Sequence, residues 1–565
     1  MKKGFTLIEL LAVIVILAVI ALIATPMILG VIDSAKKGAA ENSTYGYVDA
    51  IEKTEFQDMI DAGINNTKKD GIYDLTTIGK VKYKGKAPVA VCITLKDGNV
   101  NSGLFQFDSY VVEYKNDKAK VSDELKRVEC NTSEDSLSFN STKGVNAPKL
   151  SKGMTPIKWV DGVETVTTSD DPEWYDYKNN LWANVKTADG SYWVWIPRYA
   201  YKINSGYHSK QGDIYGKATE IKFLIGTTDT TADNTKIETS GYVAGVNDTS
   251  MHYFTHPAFQ NDINKIGYWV AKFEPTAAEG VANVPPTSGC SKSDDDVITK
   301  TIKVVPNSSS WRCISISNAY KAIASMKTKL DGTGNNLYGW TSDEVDPHLM
   351  TGLEWGATYY LTLSVYGASI NGSNTKIHIN NSETYTTGCA GNTVSAVYYN
   401  GCQNKYNTSV GVKASTTKNI TGIYDMSGGA NDRTMAVYNE LPKTSGFTVT
   451  DIKNMPAKYI TRYETPSQNM LNGVGMDYDA TVYGDAIYEI GSGASRFNGS
   501  MSTGTAAGGG TWYDDFQQLP DTSSPWIVRG GSNTSSTSAG LGTIGTSYGQ
   551  ANSGETFRPV LSVVK

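Results

Sequence analysis

Charge is scarce in this sequence. Asp, Glu, Lys and Arg make up 19% of the 565 residues, and they balance to −6. A nucleic-acid partner calls for a basic face, and the composition supplies none. Histidine is scarcer still, with five residues. His252 and His256 stand four apart, the spacing of a zinc pair on a helix. Pro257 follows directly, however, and Tyr253, Phe254 and Phe259 suit a strand or loop, so the spacing does not read as a metal site. Gly508-Gly509-Gly510 lacks the Lys-Ser/Thr pair of a phosphate-binding loop. Tryptophan is missing from the first 150 residues and all eleven copies come later. The chain therefore divides by composition into two parts.

The sharpest local absence is that of charge from Phe5 to Ile32, where Glu9 is the only ionic side chain. As a helix this run is roughly 40 Å long, enough to cross a hydrocarbon core. Lys2 and Lys3 precede it and favour a cytoplasmic N-terminus, with the long polar remainder outside. A secretory signal has an apolar region of only about 7–15 residues, so this run is too long for one. A plain anchor fits the length but leaves Glu9 unexplained, since a charge within a span costs roughly 2.5–3.5 kcal/mol. Lys2-Lys3-Gly4-Phe5-Thr6-Leu7-Ile8-Glu9 resembles the processing site of the type IV pilin family, which includes the type II secretion pseudopilins. The resemblance covers Lys2 to about Glu41. It implies a prepilin peptidase that cuts after Gly4, removes residues 1–4 as a leader and N-methylates Phe5. It also implies that helix 5–32 is retained. That helix serves first as the single anchor in the inner, cytoplasmic membrane, then as the element packed against other pilin subunits in a filament at the cell surface, raised by the assembly machinery. Buried there, Glu9 is offset by the α-amino group of Phe5 in a neighbouring subunit. Pro26 removes a backbone donor and predicts either a helix kink or the end of the membrane span.

Residues 33–130 read as a small globular domain. Val48, Ile51, Phe56, Met59 and Ile60 recur at near-helical spacing, with Gly63 as the expected stop. Residues 80–83, 89–95 and 104–114 read as strands parted by turn signals. A long helix with a small antiparallel sheet is the architecture that the pilin resemblance implies. Residues 131–153 read as a linker, followed by a second domain over 154–565 with a strand-rich lead-in at 154–205. Within that lead-in, Tyr192, Val194 and Ile196 share one strand face, with Trp193 and Trp195 on the other. Six cysteines fall as neighbouring pairs: Cys92 and Cys130, Cys290 and Cys313, Cys389 and Cys402. An even count in an exported chain predicts disulfides, and the simplest of the fifteen arrangements is within each pair; free buried thiols are the alternative. A Cys92–Cys130 bridge would staple the first domain as in many pilins.

Four stretches of the second domain resemble, in order, the formylglycine-generating-enzyme-like (sulfatase-modifying-factor) superfamily, a C-type-lectin-like fold. They are Gly267-Tyr268-Trp269-Val270-Ala271-Lys272-Phe273-Glu274, then Met350-Thr351-Gly352-Leu353-Glu354-Trp355-Gly356-Ala357, then Gly422-Ile423-Tyr424-Asp425-Met426-Ser427-Gly428. The last is Trp526-Ile527-Val528-Arg529-Gly530-Gly531-Ser532, with Phe557-Arg558-Pro559-Val560-Leu561 as its close. The oxygen-using enzymes of this superfamily rely on a cysteine pair between the last two pieces, and residues 530–558 contain no cysteine. Thiolate chemistry has neither nucleophile nor copper ligand there, so the module is expected not to be an enzyme. The family's calcium ligand falls on Asp432, which reads either as an oxygen donor to a structural calcium or as a solvated turn residue; no other cofactor is expected. Residues 530–555, small and polar between framework stretches, are the expected recognition surface, with Ser532, Asn533 and Tyr548 as contacts. The chain thus reads as α+β: a pilin-type long N-terminal helix with a small antiparallel sheet, followed by a C-type-lectin-like, loop-rich α+β domain. The functional expectation is a minor pilin or pseudopilin displaying a module that binds a surface, glycan or protein partner. The alternatives are an envelope-tethered enzyme of the same superfamily and a purely structural filament subunit.

Overall fold

The computed structural model describes residues 7–62, 71–74, 78, 81–96, 99–108, 110–115, 117–122, 128, 138–204, 219–233, 235–238, 252–260, 265–279, 290, 300–368, 376–464, 483–491, 497–498 and 510–564. In the first helix the described side chains are 11, 12, 14–16 and 30–54. Gly4, Phe5, Gly63 and Cys130 lie outside the described residues, as do the side chains of Glu9 and Pro26. The chain divides into two compact units, Met1–Leu137 and Ser138–Lys565.

In the smaller unit a helix runs Leu7–Ala62. Among the described residues no helix is long and apolar enough to cross a membrane; most side chains of the expected span, 5–32, are outside the described set. Ala40, Tyr47, Val48 and Ile51 recur at helical spacing and bury against Ile93, Phe105 and Val112. Those three come from a five-stranded antiparallel sheet of Gly71–Asp74, Ala90–Lys96, Asn99–Phe107, Tyr110–Lys115 and Lys118–Val121, paired in that order. The expected strand over 104–114 is in fact a hairpin. Asp108 takes the left-handed conformation (φ 49°) that a short polar side chain tolerates, and Phe105 then pairs with Val112. Residues 81–83 form no strand; Tyr83 packs edge-on against Tyr47 of the helix instead. The helix also satisfies the outer strand. Glu41 Oε1 accepts from the Val121 N–H (2.8 Å) and the Tyr45 hydroxyl from the Ala119 N–H (2.8 Å).

The larger unit begins inside the expected linker. Val145 is fully buried, and Asn146 Nδ2 donates to the Gly226 and Ile266 carbonyls (3.1 Å each). The segment from 138 to 153 is therefore packed structure, because its apolar and amide side chains find partners in the module. A seven-stranded sheet has the order Val345–Leu349, Pro559–Val563, Gly267–Ala271, Tyr192–Pro197, Asn184–Lys186, Thr155–Val160, Val163–Val166. The lead-in is thus part of the main sheet. Tyr192–Pro197 is buried on both faces, which suits its uninterrupted apolar run. The last strand closes the unit: Leu561 pairs with both Trp269 and Pro347. A second sheet is built on Asn431–Tyr438, Trp526–Gly530 and Gly540–Ser547. Between them lies the helix Gly352–Leu363, started by a capping box. Thr351 Oγ1 accepts from the Glu354 N–H (3.2 Å), and Glu354 Oε2 accepts from the Thr351 N–H (3.1 Å). The unit is α+β.

Candidate functional site

Residues from three of the four resembling stretches meet in one buried polar knot. Arg558, just before the last strand, donates to Asp432 Oδ2 from Nη2 (2.8 Å) and Nε (3.2 Å). It also reaches the Ala271 carbonyl (3.0 Å) and the Asp425 carbonyl (3.2 Å). The Asp425 carboxylate accepts from the Gly388 N–H (2.9 Å), Asn380 Nδ2 (2.8 Å) and the Glu274 N–H (3.2 Å). Glu274 Oε1 accepts from the Ala430 N–H (2.9 Å). All four side chains are buried. Burial pushes Asp432 up to about 6 against the pull of Arg558, and burial beside Asp425 and Asp432 raises Glu274 well above the usual carboxylate range.

Asp432 is therefore not a solvated turn residue. It lies in the strand Asn431–Tyr438 and is committed to Arg558. Its Oδ2 is paired with Arg558, while its Oδ1 is buried and makes no hydrogen bond. Among the described residues no group of three or more His, Cys, Asp and Glu is placed to hold a metal ion. His256 is buried, with its pKa lowered by burial to about 3; its Nδ1 accepts from the Ala258 N–H (3.2 Å) and starts a short turn. The spacing Gly-x-Ser-x-Gly occurs at Gly545 to Gly549. Ser547 ends a strand, a turn rather than a helix follows, and its hydroxyl donates to Glu555 Oε2 (2.8 Å).

The knot is framework for what lies above it. The expected recognition loop over 530–555 contains a strand, Gly540–Ser547, between irregular segments. Gly530 and Gly531 (φ 84° and 74°) turn the chain out of Trp526–Gly530, and Gly540–Ser547 returns as its antiparallel neighbour. Small residues predominate because the returning strand is packed closely: a Cβ on Gly540 would sit 2.1 Å from Asp515 Oδ2. Asn533 is buried, and its Nδ2 donates to the Ser382 carbonyl (2.6 Å). Ser532 is half-buried and shares its hydroxyl with Thr534 (2.9 Å) and Ser535 (3.1 Å). Tyr548 is exposed.

The 532–538 turn docks on a second, more prominent loop. Ser536 Oγ donates to the Ser395 carbonyl (3.0 Å). That loop is closed by the Cys389–Cys402 disulfide, and it presents Val397, Tyr398 and Tyr399 at 74%, 56% and 47% exposure. Its backbone is held: the Tyr399 N–H donates to the Asn381 carbonyl (2.7 Å), the Glu383 N–H to the Tyr399 carbonyl (2.8 Å), and Asn381 Nδ2 to the Val397 carbonyl (2.7 Å). Beside it, Arg312 lies over the Tyr385 ring at 3.8 Å. The result is an aromatic, Ser/Thr/Asn-framed face with little backbone freedom. Sequence reasoning missed it. The available signal was an apolar-aromatic triplet enclosed by two cysteines 13 apart. The second closed pair is Cys290–Cys313; Cys92 is also disulfide-bonded.

A family model described as the prokaryotic N-terminal methylation motif matches residues 1–25. No curated protein matches the chain.

Proposed function

We propose that this chain, pilin- or pseudopilin-like by its N-terminal methylation motif, is a minor subunit that displays residues 138–565 as a non-catalytic binding module. Prepilin peptidase cuts it after Gly4 and methylates Phe5. The 5–32 helix anchors it in the membrane and then packs it among other pilins, and the module meets a surface, glycan or protein ligand outside the cell. In this reading the module is lectin-like, its role is adhesion or recognition, and no cofactor is needed. A module of this size repeated along a shaft would crowd the lattice, which favours rare or terminal incorporation.

The observation that carries the proposal is the exposed Val397-Tyr398-Tyr399 run on a covalently closed loop. Tyrosines supply large amphipathic contact area at low entropic cost, and Ser, Thr and Asn around them supply adaptable hydrogen bonds. Pre-organisation by the disulfide lowers the ordering cost of binding. The test has two readouts. Mass spectrometry of protein recovered from cells carrying the peptidase should show a mature chain starting at N-methylated Phe5. Replacing Tyr398 and Tyr399 by Ala should lower cell attachment about tenfold or more, as for loss of a binding hot spot, with surface levels unchanged. Full attachment by that variant would remove this face from the proposal.

A further inference from the structure

A cleft of about 920 Å3 opens on the larger unit, within the range of small-molecule sites. It shares no lining residue with the Tyr398–Tyr399 face. One wall comes from Lys152 and Gly153, the other from the segment around Lys327 to Ser342, and Asp189 stands at its edge.

The cleft is firmly built. Gly153 and Gly339 (φ 84° and 97°) bring the two walls into backbone contact, and a Cβ on Gly153 would lie 2.5 Å from Gly339 Cα. The second wall is braced from within. The Leu337 N–H donates to the Lys329 carbonyl (2.8 Å), and Asn336 Nδ2 spans the Met326 and Lys327 carbonyls (3.1 Å each). Trp340, which lines the cleft, is stacked on the buried Tyr338 at 4.9 Å and 11°. Trp340 is buried, and its indole N–H has no hydrogen-bond partner. Leu330 stands on the wall at 60% exposure.

We infer that this cleft is a second binding site, taking a neutral, hydroxyl-rich ligand of the oligosaccharide class. The charge on the lining cancels: Lys152 and Lys327 oppose Asp189 and Asp331. An anion therefore finds no net attraction. The carboxylates are also turned to their own turns. Asp189 accepts from the hydroxyls of Thr187 (2.6 Å) and Ser191 (2.5 Å), and Asp331 from the Thr333 N–H (2.8 Å) and hydroxyl (2.7 Å). An extended peptide would need an unpaired strand edge, and the 329–337 segment spends its facing groups on itself, with Leu330 bridged to Asn336. Thr328 and Ser342 face the opening alongside the apolar Leu330, together with Asn335 and Thr341, which keep acceptor capacity beyond their bonds to Thr333 and Asp343. Hydroxyl and amide groups next to apolar carbon suit a sugar ring, which offers hydroxyls at its rim and C–H groups on its faces.

The test is titration calorimetry on the full-length protein in a sugar-free detergent. The probes are cello-, malto- and chito-tetraose, with a sulfated tetrasaccharide as the anionic control. At least one neutral probe should bind with a dissociation constant on the order of 1 mM or tighter, with no dependence on salt. Leu330→Arg and, separately, Thr328→Trp should weaken it about tenfold at an unchanged melting temperature. Both positions are exposed, so neither change strains the fold. The Tyr398→Ala/Tyr399→Ala variant should bind as before, which separates this site from the one in the preceding proposal. Failure of all three neutral probes, salt-sensitive preference for the sulfated one, or binding that survives both cleft variants would each overturn the inference.

Discussion

At the scale of single residues, the buried knot shows what a charge balance inside a protein demands. Three carboxyls, on Glu274, Asp425 and Asp432, face one directly paired cation, Arg558. The two partners of the ion pair are therefore not equivalent. Arg558→Met leaves buried carboxylates uncompensated and should cost about 3–5 kcal/mol. Asp432→Asn removes one negative charge from an excess and leaves Arg558 its carbonyl contacts; it should cost about 1–3 kcal/mol. Urea unfolding midpoints of the two variants check the order, and an Asp432→Asn loss as large as that of Arg558→Met would refute the account. Sequence motifs located these residues but not their exposure. Asp432 follows Gly-Gly-Ala-Asn and looks like a turn until the strand pairing of 431–433 with Arg529 and Phe557 places it inside.

At the scale of elements, Glu489 ties three together. Its carboxylate accepts from the Tyr201 hydroxyl (2.5 Å) on Tyr199–Ile203, the Tyr360 hydroxyl (2.8 Å) on Gly352–Leu363, and the Gly484 N–H (2.7 Å). Burial, with Asp485 nearby, pushes it up to about 7. Burial likewise takes Asp485 and Asp515 to about 6. Unfolded Asp and Glu titrate near 4. Between about pH 4 and 7 the folded state holds protons that the unfolded state has released, so stability falls as pH rises through that window. His256, kept neutral by burial down to about pH 3, opposes this below about pH 6.5. Glu354 also acts oppositely. Burial disfavours its charge, but His348 and Lys265 hold it near 2, so its contribution is lost only below about pH 4. Calorimetry should give a higher melting temperature at pH 5 than at pH 8, and Glu489→Gln should narrow the difference. An undiminished gap in that variant would assign the pH dependence elsewhere. Elements differed in legibility. The helix Gly352–Leu363 announces itself through Thr351 and Glu354 three apart, whereas the reversal at Asp108 lay hidden inside an apolar run.

For the whole molecule, the N-terminal stretch makes its own prediction. On the proposed pathway Glu9→Ala should still insert and still be cut after Gly4. It should enter filaments poorly, because the α-amino group of a neighbouring Phe5 loses its counter-charge. Quantifying the variant in sheared filament fractions against total membrane protein checks this, and wild-type incorporation would set the role aside.

The sequence by itself determined whatever is encoded in contiguous residues. The methylation motif at 1–25 is a linear signal, the apolar run follows from hydropathy, and the change in tryptophan content places a second module after the first. Local pairing also served for Cys290–Cys313 and Cys389–Cys402, since short closures cost little entropy. Only the tertiary structure decided which polar residues are inside and which aromatics are outside. Asn533 is buried because Ser382, 151 residues away in sequence, accepts its amide, while Tyr398 and Tyr399 are held out because their loop is pinned by backbone bonds and a disulfide. Burial is set by neighbours distant along the chain, and no window of sequence contains them.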